Sequence, residues 1–137
     1  MNWALAVAVV AVTLVTATFG QTSGGNETTV RDGVYSADQA KRGRAIYVDK
    51  CATCHDGGTM GPELWGDTFL APRANKNVRT FYDRIQDTMP EDDPGSLTEI
   101  ELLNIIAFVI QQNGFPAGDK PIPNADALNR MKFVEKK

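Results

Sequence analysis

Both cysteines and the only histidine of this chain fall within five consecutive residues, Cys51-Ala52-Thr53-Cys54-His55. At 137 residues the chain is one small domain with appendages, so whatever those side chains hold must sit against its single core. The spacing narrows the options. A disulfide between positions i and i+3 closes a very short loop and stabilises little. A redox dithiol of the thioredoxin kind needs a βαβ setting, and no convincing pair of strands stands in this sequence. A zinc site takes four ligands, so a carboxylate would have to join these three groups.

The option that uses all three residues is C-x-x-C-H, the attachment signature of c-type haem. The sulfurs of Cys51 and Cys54 add to the two porphyrin vinyl groups as thioethers, and His55 follows where its Nε2 can bind the iron. One covalently bound haem is therefore the expected cofactor, with a zinc or disulfide module as the colourless alternative. A second axial ligand from this chain cannot be histidine. Of the methionines, Met1 lies in the N-terminal segment, Met60 follows His55 closely and Met131 lies near the C-terminus. Met89 follows a helical pattern, precedes Pro90 and is well separated from His55, which makes it the candidate. A neutral thioether favours the ferrous state. With both axial positions filled, outer-sphere transfer of single electrons is what remains, so the expectation is a carrier and not an enzyme. The alternative is a haem enzyme or gas sensor with a labile sixth ligand.

No side chain from Asn2 to Phe19 carries a charge, and the first charged one is Glu27. This run is longer than the usual signal-peptide core and lacks basic side chains, which places it between a signal peptide cleaved near residues 17–20 and a short membrane anchor. Either would put the folded part in the periplasm or otherwise outside the cytoplasm; contact with a membrane is expected only if the segment is retained. The resulting division is 1–20 export segment or anchor, 21–34 flexible spacer, 35–118 folded domain and 119–137 tail.

Helical signals dominate the remainder, and the expected fold class is all-α. Ser36 with Gln39 predicts a capping box for a helix ending near Lys50. Gly43 inside it costs about 1 kcal/mol relative to Ala and asks for a packing reason. Residues 56–75 read as mostly loop, rich in Gly and Pro. Val78, Phe81, Tyr82 and Ile85 form one apolar face of a second helix that Pro90 ends. Thr98 with Glu101 caps a third, apolar on nearly every side from Leu102 to Ile110, which closes at Gly114 and Pro116. Residues 126–134 suggest a short helix and an extended end. Phe81, Tyr82, Trp65, Leu64, Leu70 and Ile85 are candidates to bury the ring.

The net charge of −3 argues against nucleic acid as a partner. Asp83, Asp87, Glu91, Asp92, Asp93, Glu99 and Glu101 crowd one segment, which is either a solvated face or a surface that steers a basic redox partner.

From Asp38 to Ala117 the chain resembles the class I c-type cytochromes, on Gly43 and Tyr47, C-A-T-C-H, G-P-E-L from Gly61, T-M-P from Thr88 and A-F-V-I from Ala107. The resemblance implies a cytochrome c fold whose first and last helices cross, with Gly43 set against Phe108. It also implies that the Pro62 carbonyl accepts a hydrogen bond from His55 Nδ1–H. Trp65, Arg73 and Lys76 are candidate donors to the haem propionates, each equally suited to a plain surface role. T-M-P-E-D-D-P-G-S-L-T, N-G-F-P-A-G and L-N-R-M-K-F are similar to bacterial cytochromes associated with quinoprotein (pyrroloquinoline-quinone) alcohol dehydrogenases. That implies a dehydrogenase donor and an oxidase or another cytochrome as acceptor.

Overall fold

A computed structural model describes residues 27–58 and 60–136. The apolar run at 1–20 and residues 21–26 lie outside the described residues; the rest of the expected spacer is not a free linker, since Thr28 and Thr29 pair with Met131 and Lys132 and Val30 is buried. Among those described, no helix is long and apolar enough to cross a membrane.

Five helices carry the fold: α1 (Ala37–Lys50), α2 (Ala52–His55), α3 (Asp67–Leu70), α4 (Val78–Thr88) and α5 (Glu99–Gln112). The Ser36 side chain accepts from the Gln39 amide at 3.3 Å, as an N-cap should. The Gln39 side chain does not complete the expected box. It is buried, and it turns inward to bond both main-chain groups of Ile122, Nε2 donating to the oxygen at 3.2 Å and Oε1 accepting from the amide at 2.8 Å. At the start of α5 the box is complete: Thr98 Oγ1 accepts from the Glu101 amide, and Glu101 Oε2 accepts from the Thr98 amide at 2.9 Å.

The broadest helix contact is α1 on α5. A Cβ on Gly43 would lie 1.8 Å from the Asn104 carbonyl oxygen, so only glycine lets the two backbones approach this closely. The resemblance set Gly43 against Phe108; the structure sets it against Asn104, about one turn earlier. Phe108 instead meets Tyr47, ring centroids 5.1 Å apart. Every residue from Leu102 to Ile110 is buried, Asn104 included.

The loop expected at 56–75 contains α3 and two single 3-10 turns, Asp56–Gly58 and Ala71–Arg73. α3 is only one turn long, too short to show a period; Gly66 enters it at positive φ and Phe69 and Leu70 anchor it in the core. The C-terminal segment packs into the same core. A 3-10 helix (Ala125–Arg130) rests on α4, and β2 (Met131–Lys132) pairs in parallel with β1 (Thr28–Thr29), a pairing too short for any alternation to announce. Ile122, Leu128, Met131 and Phe133 are all buried, and Phe133 stacks edge-on against Phe69 and Phe81.

Candidate haem site

The end of α1 delivers the cysteines. Cys51 caps the helix, its amide donating to the Tyr47 oxygen at 2.8 Å, and the amides of Cys54 and His55 both return to the Cys51 oxygen. The two thiols thus lie one turn apart, half-buried and not bonded to each other. Burial pushes the Cys51 thiol up to about 11, so the free thiol stays protonated at neutral pH. Among the described residues no three His, Cys, Asp or Glu side chains are grouped to hold a metal ion.

His55 is buried at 8% exposure. Its Nδ1 lies 2.7 Å from the Pro62 carbonyl oxygen, which makes Nδ1 the protonated nitrogen and leaves Nε2 with its lone pair. Gly61 presses on the ring, since a Cβ there would come within 2.8 Å of it. The Gly61 amide in turn donates to the Cys54 oxygen at 2.8 Å. One stretch of main chain therefore sets the orientation of the imidazole.

Pro62 and Arg73 line one cleft of about 480 Å³, with Gly57, Leu64, Thr68 and Phe69. The Arg73 guanidinium sits 4.0 Å from the Phe69 ring centroid and donates to the Phe69 oxygen at 2.8 Å. Burial, and then Arg84, lower its pKa from the usual arginine value. Trp65 is half-buried against Tyr47, centroids 5.6 Å apart. Lys76 is exposed, and its main chain pairs with Phe133 rather than with the cleft. Met89 caps α4 in extended conformation, its amide donating to the Ile85 oxygen, and its half-buried side chain packs on the core. Met60 is 69% exposed and Met131 is packed into the core. Phe81, Tyr82, Leu64, Leu70 and Ile85 are buried.

Two residues that sequence reasoning overlooked complete the site. Asp56 Oδ1 accepts from the buried Tyr47 hydroxyl at 3.0 Å, tying α1 to the residue after His55. Asn113, read only as the end of a helix, is buried and bonds the main chain on both sides of Trp65. Nothing in the sequence signals either, because the partners are set by the fold.

Two unpaired thiols one turn apart, an adjacent imidazole with its outer nitrogen occupied, and a half-buried cation at a neighbouring cleft fit a covalently attached haem. Residues 38–109, just over half of the chain, match the family model described as cytochrome C oxidase, cbb3-type, subunit III. The chain belongs to this cytochrome c family. It is a class I c-type cytochrome with covalently bound haem. The cytochrome is 31% identical over 86 residues to cytochrome c-555 of Chlorobaculum tepidum, covering 56% of this chain and 80% of that one. It is also 26% identical over 102 residues to thiosulfate dehydrogenase of Stutzerimonas stutzeri, 67% of this chain but 33% of the relative. To photosystem II extrinsic protein V of Porphyra purpurea it is 29% identical over 82 residues, 54% of this chain and 48% of the other. The cytochrome thus spans between a third and a half of those two relatives. The crystal structure of the sulfane dehydrogenase SoxCD from Paracoccus pantotrophus superposes with a TM-score of 0.51 at 22% identity, over 80% of this chain and 61% of that one, which shows the fold.

Proposed function

We propose that this cytochrome is a monohaem shuttle working outside the cytoplasm, with His55 and Met89 as axial ligands, Cys51 and Cys54 as attachment points, and residues 1–20 as its export segment or anchor. Bound haem supplies a one-electron iron couple. The protein's part is to hold it: the Pro62 carbonyl orients His55, and the buried side chains of α3, α4 and α5 exclude water. Arg73 and the Trp65 indole, which has no acceptor among the described residues, are the donors we assign to the propionates. The observation that carries the reading is the His55 ring, buried with Nδ1 spoken for and Nε2 left as the ligand nitrogen.

The likeness to thiosulfate dehydrogenase supports a dehydrogenase as donor; the loop likeness noted earlier supports a quinoprotein one. The acceptor is then an oxidase or a second cytochrome. Reduction rates measured with a quinoprotein alcohol dehydrogenase and with a thiosulfate dehydrogenase decide between donor classes.

The thiosulfate dehydrogenase likeness also favours one rival, a haem enzyme with a labile sixth ligand. A visible spectrum of the native protein and of Met89→Ala separates the two. The shuttle requires a low-spin spectrum with a sulfur–iron band that Met89→Ala loses, a lower reduction potential in that variant, and carbon monoxide binding to the ferrous variant only. Rapid carbon monoxide binding by the native ferrous protein favours the enzyme. An unchanged Met89→Ala spectrum removes Met89 as ligand.

A further inference from the structure

Asn113 lies 47 residues from Gly66 along the chain, yet its carboxamide is the fixed point of the loop that holds His55. Its Oδ1 accepts from the Gly66 amide at 3.1 Å, and its Nδ2 donates to the Leu64 oxygen at 3.1 Å and to the Val109 oxygen at 2.8 Å. The side chain is buried, so no water substitutes for these bonds, and both its donor hydrogens are used. Two of the three bonds grip the main chain on either side of Trp65. The third ties the amide back to α5.

The same loop is pinned at its other end, where the Gly61 amide donates to the Cys54 oxygen. Between the two pins stands Pro62, whose carbonyl oxygen is 2.7 Å from His55 Nδ1. A loop of six residues held at both ends has little freedom to move the Pro62 carbonyl, which lies one residue from the Gly61 pin and two from the Leu64 one. Releasing one end lets that carbonyl drift, and a hydrogen bond weakens steeply as its length and angle depart from ideal.

We propose that Asn113 is a positioning residue for the axial histidine: by clamping residues 64–66 it holds the Pro62 carbonyl on His55 Nδ1 and so tunes the electron donation of the ring. This rests on His55 being the iron ligand. Donation of the Nδ1 proton to a carbonyl makes the imidazole more basic, and a more basic ligand favours the ferric state. Loss of the clamp therefore raises the reduction potential.

The test uses the haem-loaded protein with Asn113→Leu, similar in size but unable to bond, and Asn113→Ala in case the leucine variant does not fold. Gln39→Leu is the comparator, because it removes an equally buried amide with two main-chain bonds, at Ile122 and not beside His55. The expected result is a reduction equilibrium shifted several-fold toward ferrous, up to about tenfold or about 59 mV for one electron. The His55 Nδ1–H resonance of the ferrous protein moves upfield and exchanges faster with solvent. Gln39→Leu lowers the melting temperature and leaves both readouts where they were. A potential and an Nδ1–H resonance unchanged in a variant that keeps the parent's low-spin spectrum overturn the role while leaving His55 ligation intact. Equal shifts in Gln39→Leu overturn it too, since general loosening then accounts for them. A His55→Ala protein with the parent's spectrum sinks the ligation reading itself, and the role with it.

Discussion

Arg73 is a half-buried cation with no carboxylate within ion-pair distance among the described residues. Its contacts are an aromatic face and one carbonyl, and a guanidinium carries five N–H donors. Cation–π contact offsets part of the desolvation, on the order of 1–2 kcal/mol for a half-buried pair. An anion at the cleft would offset the rest, and a haem propionate is the anion this family brings. Arg73→Gln is thus expected to lower the reduction potential, because removing a positive charge near the iron favours the ferric state. Arg73→Lys should recover only part of the change, keeping the charge but losing the planar stack on Phe69. Spectroelectrochemical titration of the two variants checks this, and identical potentials in parent and Arg73→Gln would count against any propionate role. At this scale the sequence was legible where chemistry is local. Cys51, Cys54 and His55 announce themselves by spacing. Gln39, Asp56 and Asn113 do not, because a polar side chain that bonds a distant main-chain group looks like any surface residue until the fold brings the partner to it.

At the scale of elements, the crossing of α1 and α5 sets where the C-A-T-C-H turn begins, so its closeness has a functional consequence. In an exposed helix Gly43→Ala would add about 1 kcal/mol of stability. Here the new Cβ would meet backbone 1.8 Å away, which no rotamer change relieves. Overpacking of this kind costs about 1–3 kcal/mol or more and outweighs the propensity gain. The expected outcome is a lower melting temperature for haem-loaded Gly43→Ala, read by far-ultraviolet circular dichroism; equal or higher stability would mean the helices separate without loss. The helices were readable because their periods run for three turns or more, and α1 and α5 also carry side-chain caps. α3 was not, being a single turn held by Phe69 and Leu70. The predicted partner of Gly43 was displaced to Phe108 because a glycine signals close approach without saying which turn approaches.

Across the whole molecule, the C-terminal segment closes one side of the core and the acidic loop after Met89 defines another. The segment was set apart as a tail because its prolines hide any period, whereas Phe133 completes an aromatic trio with Phe69 and Phe81. The acidic stretch also divides once partners are seen. Asp83 pairs with Arg79 at 2.6 Å, Glu99 accepts from the Ala125 amide at 3.1 Å, and Glu101 is committed to the Thr98 cap, whose hydrogen bonds hold its carboxyl below the usual range. Asp87, Glu91, Asp92 and Asp93 are exposed and make no ion pair among the described residues. If the patch steers a basic redox partner, only this second group should matter. Asp92→Asn with Asp93→Asn should slow bimolecular electron transfer at low salt and flatten its dependence on ionic strength, since exposed charges act over a screening length of about 10 Å at 0.1 M. Glu99→Gln should alter stability more than that rate. Stopped-flow reduction of a basic acceptor over a salt series measures both, and salt-independent rates in the parent would remove docking from this loop and leave it a solvated turn.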